Sequence, residues 1–262
     1  MTTQLLIDAD FVLYRDCCVV RRDHVWTNTA GQKVHTQSAS HDEALEKFTQ
    51  SVESYVTKLL ADEAILVFSG EANFRKEVWP QYKAGRASLK PPAYWAVIDS
   101  LRDEGKYRVV SEACLEGDDY IGILATRPSG TRRVIVSEDK DMQTLPNAEI
   151  WRQDKLVETT EESADHFWRL QTLMGDTTDG YFGCPGMGPV SAAKVLEKAG
   201  DPWENILEAH RKGCAKKPEA LTKAAVETPE GLALLNARLA RILRHTDWDG
   251  KHRRPILWSP DA

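Results

Sequence analysis

Cysteine is scarce in this chain, and the five present (Cys17, Cys18, Cys114, Cys184 and Cys214) are odd in number, two of them adjacent, with no C-x-x-C pair. That excludes a disulfide framework and a cysteine-based zinc site, and leaves reduced, mostly buried thiols. No apolar run approaches the roughly 20 residues of a membrane-spanning helix. The opening MTTQLLIDAD places an acid where a secretory leader would stay apolar, so a cytoplasmic location without a membrane partner is the expectation. Internal repeats and low-complexity tracts are lacking too. So is a general excess of positive charge: the formal net charge is −6, which taken alone disfavours a polyanionic partner.

What is there is an ordinary globular composition, 262 residues and 42% hydrophobic, enough for a sizeable core in one large domain or one domain with an appendage. QLLID, AILVF at 64–68, KYRVVS at 106–111 and RRVIVS at 132–137 read as short buried strands that end in polar turns. Helical patterns lie between them. Leu45, Phe48, Val52, Val56 and Leu59 recur behind a start at Ser40 or Asp42, and AYWAVIDSLRDEG follows Pro91-Pro92 and stops at Gly105. Alternating strand and helix predicts an α/β fold with a mostly parallel sheet over the first 150 or so residues, with a hairpin turning near Gly31. From 166 to 262 the pattern is helical: one helix closed by Gly175, one by Gly200, one capped by Asp201 with Pro202 and Glu204, and one opening at Thr228-Pro229. The stretch 211–220, RKGCAKKPEA, reads as a mobile loop.

Acids gather where such a sheet binds ligands, beyond the carboxyl ends of its strands. Asp8 ends the first strand. Asp139 and Asp141 follow the strand at 132–137, Glu116, Asp118 and Asp119 open a helix, and Asp176 and Asp179 follow the helix closed by Gly175. Each has an ordinary structural explanation alone: helix dipole for Asp118 and Asp119, N-cap for Asp141, turn formation for Asp176 and Asp179. Together, four segments delivering carboxylates with no His or Cys suit two Mg²⁺ or Mn²⁺ ions, which can clamp the attacking and leaving oxygens of a phosphodiester. Without these eight acids the chain's charge becomes +2.

Two further stretches point to nucleic acid. Residues 73–92 carry Arg75, Lys76, Lys83, Arg86 and Lys90 against Glu77, interleaved with Phe74, Trp79 and Tyr82; a solvated helix face and a phosphate-neutralising, base-stacking segment fit that composition equally. In GCPGMGPVSAAKVL, Gly183, Gly186 and Gly188 around Pro185 make a turn before a helix N-terminus, a pattern able to cradle phosphate.

The order LLIDAD, F-x-G-x-x-N-FRK, YKAGR, LEGDDYIG, SEDKD, GDTTDG and G-x-PGMG resembles the flap endonuclease family of 5′ nucleases, and TEESADHFW with LARILR and LW looks most like its branch in short-tailed phages, the 5′ to 3′ exonucleases. The resemblance implies a PIN-like domain over 1–165, with a helical arch at about 70–105, and a helix-three-turn-helix subdomain over 166–262. It implies Asp8, Glu116 and Asp118 as ligands of a first metal and Asp139, Asp141, Asp176 and Asp179 of a second, with Asp119 bridging or acting through water. Lys83 and Arg86 match the arch cations that steady the scissile phosphate. DNA contacts are implied for Arg75, Lys76, Tyr82 and Lys90, and for Gly183, Gly186, Met187, Gly188, Ser191 and Lys194 at the hairpin, which in the family also binds potassium. The implied protein is a monomer in the host cytoplasm that cleaves DNA at 5′ ends, nicks or flaps, and RNA in RNA:DNA hybrids. A PIN-like ribonuclease and a non-catalytic, structure-specific DNA-binding protein are the alternatives. One position departs from the family: an acid usually follows the second strand, and here Ser69 stands there, with Glu71 two residues on.

Overall fold

A computed structural model describes residues 2–86 and 89–260. Its centre is a six-stranded sheet. In chain order the elements of the first half are β1 (Thr3–Asp8), α1 (Ala9–Val20), β2 (Arg22–Thr27), β3 (Lys33–Ser38), α2 (His41–Lys58), β4 (Glu63–Val67), α3 (Arg75–Val78), α4 (Tyr94–Glu104), β5 (Arg108–Val110), α5 (Gly117–Thr126) and β6 (Arg132–Val136). β7 (Glu149–Arg152) and β8 (Lys155–Glu158) complete the sheet, in the order β5-β4-β1-β6-β7-β8. All neighbours are parallel except the β7–β8 hairpin. The α/β expectation holds.

β1 is central because both its faces are apolar: Leu5, Leu6 and Ile7 are wholly buried. One face packs on α1, α2 and α4 through Leu13, Phe48, Val97 and Leu101; the other meets Ile121, Met142, Leu145 and Ile242. Cutting Leu6 to alanine in such a place costs about 2–5 kcal/mol. Helix ends follow the sequence signals. The Ser40 hydroxyl caps α2 by accepting from Glu43 N, and Gly105 and Gly175 take φ of +65° and +73° where α4 and the helix Glu161–Met174 stop.

The second half is helical: α6 (Glu161–Met174), α7 (Pro189–Leu196), α8 (Pro202–Lys216), α9 (Glu219–Ala224) and α10 (Pro229–Ala240), followed by the two-residue strands β9 (Trp248–Asp249) and β10 (Arg254–Pro255). Three expectations need correction. The segment 211–220 is no free loop, since α8 runs through it to Lys216 and buries Cys214. α7 stops at Leu196, before Gly200. The arch expected at about 70–105 is not one continuous helix: among its described residues the four-residue α3 and the longer α4 are separated by a segment that includes a run of turns at 80–85. The hairpin near Gly31 forms as expected, β2 against β3, and is exposed.

The chain passes from β1 to β4 and β5 on one side and then to β6 and β7 on the other. The reversal leaves a crevice beside the carboxyl end of β1, which is where open α/β sheets bind ligands.

Candidate active site

Asp8 closes β1 and caps α1 in one step, its Oδ1 accepting from Phe11 N at 3.3 Å. Its other oxygen accepts from the Ser137 hydroxyl at 2.8 Å, one residue past β6. Beyond Ser137 the chain winds into a short 3₁₀ turn at Lys140–Thr144, capped by Asp139, whose side chain accepts from Asp141 N at 2.8 Å. Gln171 of α6 donates to Asp141 Oδ1 at 2.6 Å. Glu116 and Asp118 arrive at the start of α5. Asp176 accepts from the amides of Thr178 and Asp179 at 2.7 and 3.2 Å, which shapes the turn after α6. Asp8, Glu116, Asp118 and Asp139 line a cleft of about 880 Å³ together with Lys83 and Arg86. An adjoining cavity of about 90 Å³ shares most of those residues and adds Asp141 and Asp179.

Cations enter from the turn segment. Lys83 Nζ lies 2.5 Å from Glu116 Oε1 and 3.7 Å from Asp179 Oδ2, and Arg86 Nη2 lies 2.6 Å from Asp179 Oδ1. Lys83 has φ of +54°, unusual for a side chain with a Cβ, and its amide is held by the Asp179 carbonyl at 2.9 Å. Lys140 stands 3.6 Å from Asp176. Among the described residues, Asp8, Asp118, Asp139 and Asp141 have no such partner within 4.0 Å.

That asymmetry shows in the acidities. Burial alone would raise the Glu116 carboxyl, but Lys83 and Arg75 hold it below the usual range. Burial pushes Asp8 up to about 6, with Asp10 and Asp139 adding repulsion, and pushes Asp141 up to about 6 with help from Asp139. Asp118 rises well above the usual range through burial and the charges of Asp8, Asp139 and Glu116. Ionised, these buried and half-buried carboxylates carry charge that no ion pair among the described residues compensates. The oxygen-only donor set fits hard divalent cations. Among the described residues no three His, Cys, Asp or Glu side chains close into a finished cage; the acids form an open row, which suits ions that keep several waters and share ligands with a phosphate.

Residues 3–168 match the family described as 5′–3′ exonuclease, N-terminal resolvase-like domain. The chain belongs to the 5′–3′ exonuclease family. It is 30% identical to the exonuclease of Escherichia phage T7, over 98% of this chain and 93% of that protein, and 29% identical to the exodeoxyribonuclease of Enterobacteria phage T3, over 98% and 92%. Its fold matches that of a bacteriophage T5 protein co-crystallized with metal ions, with a TM-score of 0.64, 15% identity, and 92% of this chain and 89% of that chain covered. The bacteriophage T5 flap endonuclease, solved as a pseudo-enzyme-product complex with DNA and metal ions, gives 0.59 and 17% over the same shares. The phage-branch resemblance in the sequence is borne out, and the chain is a nuclease.

Within this 5′–3′ exonuclease framework the structure reassigns several residues. Asp119 is wholly buried. Its oxygens accept from Arg75 Nη1 and Nη2 at 2.6 and 2.8 Å and from Leu243 N at 3.1 Å, so they face the interior and not a metal. Arg75, only 3% exposed, also donates to the carbonyls of Leu239 and Arg241 at 3.1 and 2.6 Å, so it is a buried strut and not a DNA contact. Tyr82 is buried against Trp79 and Tyr181, its hydroxyl donating to Asp179 at 2.8 Å and Glu116 at 3.1 Å; no ring face is free for a base. Gly183 is buried as well: a Cβ there would stand 2.3 Å from Gly175 N, so this glycine serves close backbone approach. Lys76 and Lys90 do line the cleft. Gly186, Ser191 and Lys194 are exposed, and Gly188 and Met187 half-buried. Three partners escaped the sequence reading: Ser137 behind Asp8, Gln171 behind Asp141, and Asp10. For Asp10 alone there was a signal, the second acid of LLIDAD.

Proposed function

We propose that this nuclease is a divalent-metal-dependent 5′ to 3′ exonuclease and flap nuclease of DNA, acting at 5′ ends, nicks and flaps and on RNA in RNA:DNA hybrids. The observation that carries the reading is the row Asp8, Asp118 and Asp141, the first buried and the others half-buried, without ion-pair partners among the described residues at the β1–β6 crevice and sharing its lining with Lys83 and Arg86. Asp8, Glu116 and Asp118 would hold one ion, and Asp139, Asp141, Asp176 and Asp179 the other. Bound there, Mg²⁺ or Mn²⁺ supplies Lewis-acid stabilisation of phosphoryl oxygens and makes water a stronger nucleophile at neutral pH. Lys83 and Arg86 place positive charge where the transferring phosphoryl group gains negative charge. Ser137 and Gln171 fix the orientation of Asp8 and Asp141.

The glycine turn and the start of α7 serve the duplex backbone: Gly186 and Gly188 at the turn, with Met187 between them, and Ser191 and Lys194 on the helix. A potassium ion at this turn belongs to the same reading, as do a monomeric state and a place in the host cytoplasm. Among the described residues no helix is long and apolar enough to cross a membrane.

The test uses 5′- and 3′-labelled duplex, nicked, flap and hybrid oligonucleotides with Mg²⁺, Mn²⁺ or EDTA. Cleavage from 5′ ends that EDTA abolishes is the expected result. Release of mononucleotides only from 3′ ends, or cleavage undiminished by EDTA, would overturn the proposal.

A further inference from the structure

Ser69 occupies the place where the sequence pattern calls for an acid, and the structure shows what surrounds it. Its hydroxyl accepts from Gly117 N at 3.0 Å, which ties the end of β4 to the start of α5. Its own amide donates at 2.6 Å to Asp10 Oδ2. Asp10 sits in the first turn of α1, two residues beyond Asp8, and it leans across the β4 end so that its carboxylate lies over residue 69. The opposite oxygen accepts from the hydroxyl of Tyr94, a wholly buried ring on α4. Lys90 donates to that hydroxyl at 3.2 Å and stands 3.8 Å from Asp10 Oδ1.

We infer that Asp10 serves the first metal site in place of an acid at residue 69, its carboxylate delivered from α1 instead of from the end of β4. The inference rests on the metal-dependent reading above. Three observations carry it. Asp10 lines the same cleft as Asp8, Glu116, Asp118 and Asp139. A Cβ on Gly117, the residue between Glu116 and Asp118, would stand 3.5 Å from Asp10 Oδ2, so the carboxylate reaches the segment that carries two of the expected ligands. An ionised carboxylate accepts about four hydrogen bonds or ligand contacts. The two strong donors, Ser69 N and Tyr94, leave capacity on both oxygens while fixing their direction. Glu71, the other candidate for the missing acid, lines the same cleft but is exposed and makes no hydrogen bond among the described residues. An acid held by two donors from different elements is positioned; an exposed acid with no donor is not.

The experiment measures Mn²⁺ binding by calorimetry to the DNA-free protein as wild type, Asp10→Asn, Ser69→Asp and the double variant, with circular dichroism checking the fold. Asp10→Asn should weaken the tighter site about tenfold or more, the range seen when groups beside a metal are lost. Adding Ser69→Asp to Asp10→Asn should recover most of that loss, whereas Ser69→Asp alone should gain little, because the place is already filled. Wild-type affinity in Asp10→Asn overturns the inference, and so does a double variant as weak as Asp10→Asn. If Asp10→Asn fails to fold, Tyr94→Phe keeps the carboxylate and removes one of its two guides; it should weaken Mn²⁺ binding several-fold, and unchanged binding there also overturns the inference. Absence of Mn²⁺ binding in the wild type would instead sink the metal-dependent reading and this inference with it.

Discussion

The two halves of the acidic row are neutralised differently. Toward the segment that carries Arg75, Lys83 and Arg86, the carboxylates of Glu116, Asp119 and Asp179 each meet a cation of the chain itself. Toward the sheet, Asp8, Asp118 and Asp141 meet none, and their carboxyls rise. Two carboxylates of one helix start, Glu116 and Asp118, are thus shifted in opposite directions by their neighbours. The first half is electrostatically complete when the chain folds; the second half is completed only by charge from outside.

The comparison can be broken or sharpened in four ways. Removing a partner from the completed half should cost the most: Asp119→Asn leaves Arg75 buried with Glu116, 3.3 Å away, as its one remaining carboxylate among the described residues, and should destabilise the protein by about 3 kcal/mol in urea unfolding. An equal loss from Asp118→Asn would mean that the two halves are alike. In the incomplete half the penalty should fall on chemistry. Asp118→Asn or Asp141→Asn should cut cleavage by about 100-fold or more, since loss of a ligand exceeds the loss of its outer partner. The metal-free fold should be as stable or more so, and DNA binding intact or tighter; near wild-type cleavage would remove these residues from the site.

The third way is pH. Folding raises Asp8 and Asp141 from 3.8 to about 6, so the folded state holds more protons than the unfolded chain between those values. Stability of the metal-free protein should therefore increase as pH falls from about 7 toward about 4, by on the order of 2 kcal/mol for each of the two acids. Thermal melts check the sign, and saturating Mg²⁺ should reverse it, because the bound ion requires the ionised acids. The smallest effect is expected for Gln171→Leu, which frees Asp141 to rotate. It should raise the Mg²⁺ concentration for half-maximal cleavage about tenfold, with little change in stability because Gln171 Oε1 is buried without a partner.

Much of the fold was legible because its signals are local. The apolar runs of β1, β4 and β6 and the caps at Ser40, Gly105, Gly175 and Thr228 each sit within a few residues of what they determine. β7 and β8 were missed, being four residues each and rich in charge. In the site, the residue types were legible and their directions were not. Arg75 read as a DNA contact and Asp119 as a metal bridge because a sequence shows that a residue is charged, not which residue it faces; 44 positions separate them. Asp10 was passed over because an acid in the first turn of a helix already has a reason to be there. Ser137 and Gln171 are neutral, and only the fold brings them to an acid.

The Arg75–Asp119 pair also bears on how the molecule is made. Its remaining hydrogen bonds come from Leu239, Arg241 and Leu243, between 124 and 166 positions away along the chain. As the polypeptide leaves the ribosome, both charges emerge long before the segment that satisfies them. The nascent sheet must carry an open polar seam until α10 has been synthesised and the segment that follows it docks, a late, high-contact-order step of the kind that slows folding and exposes intermediates to aggregation. The C-terminal helices therefore cannot be treated as a detachable attachment. A chain cut near residue 165 would display the unpaired interior of this seam, and should be recovered as aggregate where the intact protein is recovered folded.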